Sequence, residues 1–239
     1  MKLIFVILCT TCLFFSARSQ SQAAMQFSKT KTVSIAAAYD YLLFTPSNME
    51  LQENGKSPLI IFLHGAGERG DDIDLVKVHG PPKIVEANKD FPFYVLSPQC
   101  ASDSWWEAEQ LVMLMDEVIS MNDIDETRIY LTGLSMGGYA TWDLAQLRPD
   151  RFAAIAPICG GSRMNAFRAT LIKNVATWAF HGAMDTVVPL EASTRIVKAL
   201  KNVGGDVKFT IYPMAGHDSW TETYANPKLY EWFLAHRLK

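Results

Sequence analysis

Short apolar runs at 59–63, 93–96, 129–131, 153–158, 177–180 and 207–212 alternate with segments of helical character at 73–88, 107–121, 138–147, 192–202 and 229–238. That alternation restricts the chain more than any other feature. A strand that is apolar along its whole length, not only at every second position, must be covered on both faces, and helical crossovers between parallel strands supply the cover. The pattern predicts one α/β domain with a mostly parallel sheet flanked by helices. A region rich in β signals at 31–44, closed by a turn at Pro46-Ser47-Asn48, adds strands at the front. Each apolar run ends in Gly, Pro, Ser or His. In open parallel sheets ligands bind beyond the carboxyl ends of the strands, so chemistry is to be sought there.

One of those ends carries a specific signal. The run Ile129-Tyr130-Leu131-Thr132 leads straight into Gly133-Leu134-Ser135-Met136-Gly137-Gly138 and then into a helical segment. Glycines on both sides permit a turn too tight for a Cβ, which would hold Ser135 at the strand tip with its hydroxyl exposed. A serine hydroxyl needs an imidazole to take its proton and a carboxylate to fix that imidazole's tautomer. Asp185 follows the apolar run at 177–180, and His217 follows the last run in a glycine-containing loop. Taken singly, Asp185 reads as a turn or capping carboxylate and His217 as an ordinary loop histidine. Their joint position, each at its own strand end in the order Ser, Asp, His, argues for a nucleophile, acid and base. Asp218 competes for the acid but adjoins His217 in sequence, which aims the two side chains poorly at one another.

An attacked carbonyl develops negative charge and needs N–H donors already pointed at it. The backbone N–H of Met136 is one candidate. The other comes from Leu63-His64-Gly65-Ala66-Gly67, with Ala66 assigned and Gly65 the alternative. His64 is read as a brace for this loop, and His181 and His79 as structural. Trp105, Trp106 and Trp220 fall in strand-end loops, where they would either stack on an aromatic acid or sugar ring or pack beneath a loop. No metal or cofactor is implied: Asp71, Asp72 and Asp74 lack the spacing of a calcium loop, and no phosphate or dinucleotide fingerprint appears.

The first residues, a Met-Lys start, an apolar core too short to span a bilayer and a small polar segment after Phe15, predict a secretory signal peptide over 1–19. The expected mature chain, 20–239, is a single domain, secreted or periplasmic. A net charge of −3 without charge blocks gives no pointer to nucleic acid or, after signal cleavage, to a membrane surface. Of the four cysteines, Cys100 and Cys159 remain. They follow strands about three spacings apart, too far for a disulfide.

These residues resemble the carboxylesterase branch of the α/β-hydrolases, specifically the secreted bacterial group related to dienelactone hydrolases, polyhydroxybutyrate depolymerases and feruloyl or acetylxylan esterases. The likeness runs through Leu63-His64-Gly65-Ala66-Gly67-Glu68-Arg69-Gly70, Ser97-Pro98-Gln99-Cys100, the turn at Ser135, Ala156-Pro157-Ile158-Cys159-Gly160-Gly161, Phe180-His181-Gly182-Ala183-Met184-Asp185 and Ala215-Gly216-His217. It implies an eight-stranded sheet, ester hydrolysis without a cofactor, and Ser135, Asp185 and His217 as the triad. Fewer than twenty residues separate the runs ending at Ile158 and starting at Thr177, too few for the lid domain many relatives insert there. An open site of this kind would admit a small-molecule or polysaccharide-linked ester. Two rival readings are a peptidase of the prolyl-oligopeptidase type and a binding module on the same fold without catalysis.

Overall fold

The computed structural model describes residues 23–26, 39–47, 53–162 and 166–238. The expected signal peptide and residues 31–38 lie outside them. The strands among the described residues are β1 (Ala23–Gln26), β2 (Asp40–Phe44), β3 (Ser57–Leu63), β4 (Tyr94–Gln99), β5 (Ile124–Leu134), β6 (Ala154–Ile158), β7 (Ala176–Gly182) and β8 (Val207–Tyr212). They form one eight-stranded sheet in the order β1-β2-β4-β3-β5-β6-β7-β8. β1 pairs antiparallel with β2, and β2 antiparallel with β4; every other pairing is parallel. The parallel part of the sheet therefore starts in the middle at β3, passes to β4 on one side and then winds outward through β5 to β8 on the other.

The alternation of side chains along a strand divides the core in two. Leu59, Ile61 and Leu63 of β3 join one cluster, with Ile129 and Leu131 of β5. Ile60 and Phe62 join the other, with Tyr130. Helices α2 (Ala108–Ser120), α3 (Met136–Leu147) and α4 (Glu191–Asn202) cover the first face, and α1 (Gly80–Ala87), α5 (Trp220–Ala225) and α6 (Pro227–Leu234) the second. In α2 the buried positions Leu111, Leu114, Met115 and Val118 recur at helical spacing, so one stripe faces the sheet. Burial of each such side chain contributes about 1.5–3 kcal/mol, and β3 is buried along its full length.

The elements differ from the sequence reading in four places. A strand lies at Ala23–Gln26, ahead of the 31–44 region, whose described residues contribute Asp40–Phe44. The helical segment read at 73–88 is a 3-10 turn, Ile73–Val78, followed by a separate α1. The break falls at Gly80, where φ is +68° and a Cβ would overlap the Phe62 ring. The final helix ends at Leu234, and α5 precedes it. Between β6 and β7 the described residues hold one 3-10 helix, Ala166–Ile172. Cys100 and Cys159 are free and buried, at the ends of β4 and β6.

Candidate active site

The turn from β5 into α3 is built by close approach of backbones. A Cβ on Gly133 would overlap the Gly137 carbonyl, one on Gly137 the Leu63 carbonyl, and one on Gly138 the Ile158 carbonyl. Ser135, wedged between them, adopts φ +52° and ψ −115°, a conformation that costs a non-glycine residue of order 1–3 kcal/mol. Its N–H donates to the Ile158 carbonyl at 3.0 Å, so β6 holds the turn from the side. Met136 is the first residue of α3, and a first-turn N–H has no acceptor within its helix.

Three of the predicted residues meet. His217 Nε2 lies 2.9 Å from Ser135 Oγ, and His217 Nδ1 lies 2.7 Å from Asp185 Oδ2. An ionised carboxylate only accepts, so Nδ1 carries the proton and Nε2 is left to accept from the serine hydroxyl. The other carboxylate oxygen, Oδ1, accepts from the N–H groups of Val187 and Val188, both at 2.9 Å. Burial pushes the Asp185 carboxyl upward, but the His217 hydrogen bond and the Val188 and Val187 donors outweigh it and hold the group below the usual carboxylate range. Asp218 is turned elsewhere: its carboxylate accepts from the N–H and hydroxyl of Thr221 and caps α5. The Cys159 thiol lies within 4.8 Å of the facing Asp185 and His217 atoms. Burial pushes this thiol up to about 12, so it is a neutral wall of the site at ordinary pH.

The loop after β3 is braced as the sequence suggested. His64 is fully buried. Its Nε2 accepts the Cys100 N–H at 3.0 Å, so Nδ1 is the protonated nitrogen and donates to the Gly65 carbonyl at 2.6 Å. Burial lowers His64 to about 4, consistent with a neutral ring that must accept. The Gly65 N–H donates to Glu68 Oε2 at 2.8 Å, which leaves Ala66 as the next donor along the loop. A Cβ on Gly65 would lie 3.6 Å from the Ser135 Cβ, so this loop borders the serine.

The tryptophans separate into different roles. Trp106, a candidate either to stack on substrate or to pack beneath a loop, does the second and leaves the substrate-binding set: it is 5% exposed, packs between His64 and Tyr39, and donates its indole N–H to the His64 carbonyl at 3.2 Å. Trp105 is half-buried and meets the Tyr139 ring edge-on. Trp220 meets the His217 ring edge-on at 5.2 Å and the His79 ring at 5.5 Å. His79 Nε2 in turn lies 3.7 Å from Glu68 Oε1. An apolar cavity of about 600 Å³ between α1, α5 and α6 has Trp220 in its wall, and Ser135, Asp185 and His217 do not line it.

A nucleophile turn at the carboxyl edge of a mostly parallel sheet, with acid and base on later strand ends, defines an α/β-hydrolase. The chain belongs to the phospholipase/carboxylesterase family, whose model matches residues 91–226. It is similar to a thermostable esterase of known structure, at 33% identity and a TM-score of 0.76, over 91% of this chain and 63% of that one. Among curated relatives it is 28% identical to poly(3-hydroxyalkanoate) depolymerase C of Paucimonas lemoignei, over 48% of this chain and 32% of the relative. It is 25% identical to the bifunctional acetylxylan esterase/xylanase XynS20E of Neocallimastix patriciarum, over 64% of this chain and 22% of the relative. The chain thus spans about a third or less of the length of these two relatives.

Proposed function

We propose that this chain is a serine carboxylesterase working through an acyl-enzyme on Ser135. The observation that carries the reading is the unbroken hydrogen-bonded line from Ser135 Oγ through His217 to Asp185, 2.9 and 2.7 Å long. As Ser135 Oγ attacks the ester carbonyl, His217 Nε2 takes its proton, and the imidazolium so formed is stabilised by the Asp185 carboxylate. The tetrahedral oxyanion receives the N–H groups of Met136 and Ala66, Gly65 being already committed to Glu68. His217 then returns its proton to the leaving alcohol, and a water activated by the same imidazole releases the acid. No step calls on a metal or cofactor.

The expected signal peptide supports a secreted or periplasmic enzyme, and the acetylxylan esterase and depolymerase relatives support an ester attached to a polysaccharide or polymer. Trp105 and Trp220, at the strand ends flanking the site, are the aromatic surfaces offered to such a substrate. Rates on p-nitrophenyl acetate, methyl ferulate and a prolyl amide, measured side by side, test the assignment. Hydrolysis of either ester well above the amide is the expected result; amide cleavage alone would replace the esterase with a peptidase.

A further inference from the structure

One fully buried titratable side chain stands beside the triad and takes no part in the steps above. His181, near the end of β7, has no solvent exposure. Its Nε2 lies 3.0 Å from the Val188 carbonyl, which can only accept, so Nε2 carries a proton. Its Nδ1 and the Gly160 carbonyl lie 2.7 and 2.5 Å from the Ser193 hydroxyl of α4, whose single proton serves one of these acceptors at a time. The ring is thereby fixed from α4 on one side and grips the turn 185–188 on the other.

That turn is what holds the acid. The N–H groups of Val187 and Val188 bind Asp185 Oδ1, and the Val188 carbonyl is the group His181 pins. The protonated edge of His181 also lies 3.3 Å from Asp185 Oδ2, the oxygen that faces His217. We infer that His181 is a positioning residue for Asp185: it clamps the 185–188 turn and sets its N–H edge against the carboxylate, so that Oδ2 stays aligned on His217. A histidine read from sequence as merely structural becomes part of the catalytic support. The inference rests on the esterase reading of Ser135, Asp185 and His217.

A residue that acts through another loses its effect when that other is removed, so a double-mutant cycle isolates the role. The measurement is kcat and KM on p-nitrophenyl acetate, with a thermal melt for each protein, using the full chain as wild type, His181→Leu, His181→Gln, Asp185→Asn and His181→Leu combined with Asp185→Asn. His181→Leu should lower kcat by about 10- to 100-fold, as expected for a slightly misplaced catalytic group, with KM within about twofold. His181→Gln, which keeps a side-chain N–H, should recover most of the loss. In the Asp185→Asn background the leucine should cost less than about threefold more. Wild-type kcat in a folded His181→Leu, or losses that multiply in full in the double variant, would overturn the inference. Should His181→Leu not fold, Ser193→Ala, which removes the ring's Nδ1 partner, takes its place in the same cycle with the same two outcomes. Undiminished turnover in Asp185→Asn alone would instead break the esterase reading itself.

Discussion

At the tip of β5 backbone lies against backbone. Gly133, Gly137 and Gly138 touch the carbonyls of Gly137, Leu63 and Ile158 with no room for a Cβ, and Ser135 is fixed by covalent geometry among them. At the tips of β7 and β8 the arrangement differs. Gly182 alone admits close carbonyls there, those of Gly216 and Ala215, and Asp185 and His217 are placed mainly by hydrogen bonds from side chains and turn N–H groups. The nucleophile is thus built into the fold, whereas acid and base are mounted on it. Substitutions of the β5-turn glycines should therefore reach stability, and those of Asp185 and His217 should reach turnover alone.

Breaking the nucleophile itself gives the largest effect. Ser135→Ala should lower kcat by about 10⁶-fold, the scale set by removal of a triad serine in a protease, while the melt stays within a few degrees of wild type, because alanine keeps the Cβ and the backbone conformation and loses only a half-buried hydroxyl. Next comes Asp185→Asn. Steady-state kinetics should show a fall of about 10⁴-fold, as for the equivalent change in a serine protease, and circular dichroism should show an intact fold. Gly137→Ala tests the other side of the comparison. Its methyl would overlap the Leu63 carbonyl, and urea unfolding should report a loss of about 4 kcal/mol, a factor of about 10³ in the folding equilibrium.

A pH experiment sharpens the contrast further. His64 is neutral in the folded chain down to about 4, whereas an unfolded histidine gains its proton below about 6.5. Over that interval the unfolded state binds more protons, so this residue makes stability fall as pH drops from about 6.5 to about 4, by roughly 3 kcal/mol, and level out below. His64→Asn should flatten that part of the stability curve measured by urea titration. The smallest effect belongs to Asp218→Ala, which removes the carboxylate that accepts from Thr221 at the start of α5 and has no part in the line from Ser135 to Asp185. Its cost should be about 1 kcal/mol of stability, with kcat within twofold of wild type; a large fall in kcat would return Asp218 to contention as the acid.

Much of this was legible in the sequence because it rests on periodicity and on glycine. The continuous apolar runs gave the strands, and the flanking glycines marked the turn at Ser135. Asp185 and His217 followed from strand-end position and order. What stayed hidden depends on contacts that no local pattern encodes. Trp106 lies beside Trp105 in the chain, yet only the three-dimensional placement of His64 and Tyr39 sends it into the core. His181 shows its part only once Val188 and Ser193 are seen on either side of its ring. The break before α1 did carry a signal: Gly80-Pro81-Pro82 puts proline at the start of a helix, where its missing N–H costs nothing.

The claim beneath all of this is that distant segments meet to activate one hydroxyl. Intact-mass and peptide mass spectrometry after treatment with a fluorophosphonate tests it directly. The account predicts a single adduct on Ser135 in the wild type and almost none in His217→Ala at the same exposure. Absence of an adduct on wild-type Ser135, or equal labelling in the two proteins, would contradict it.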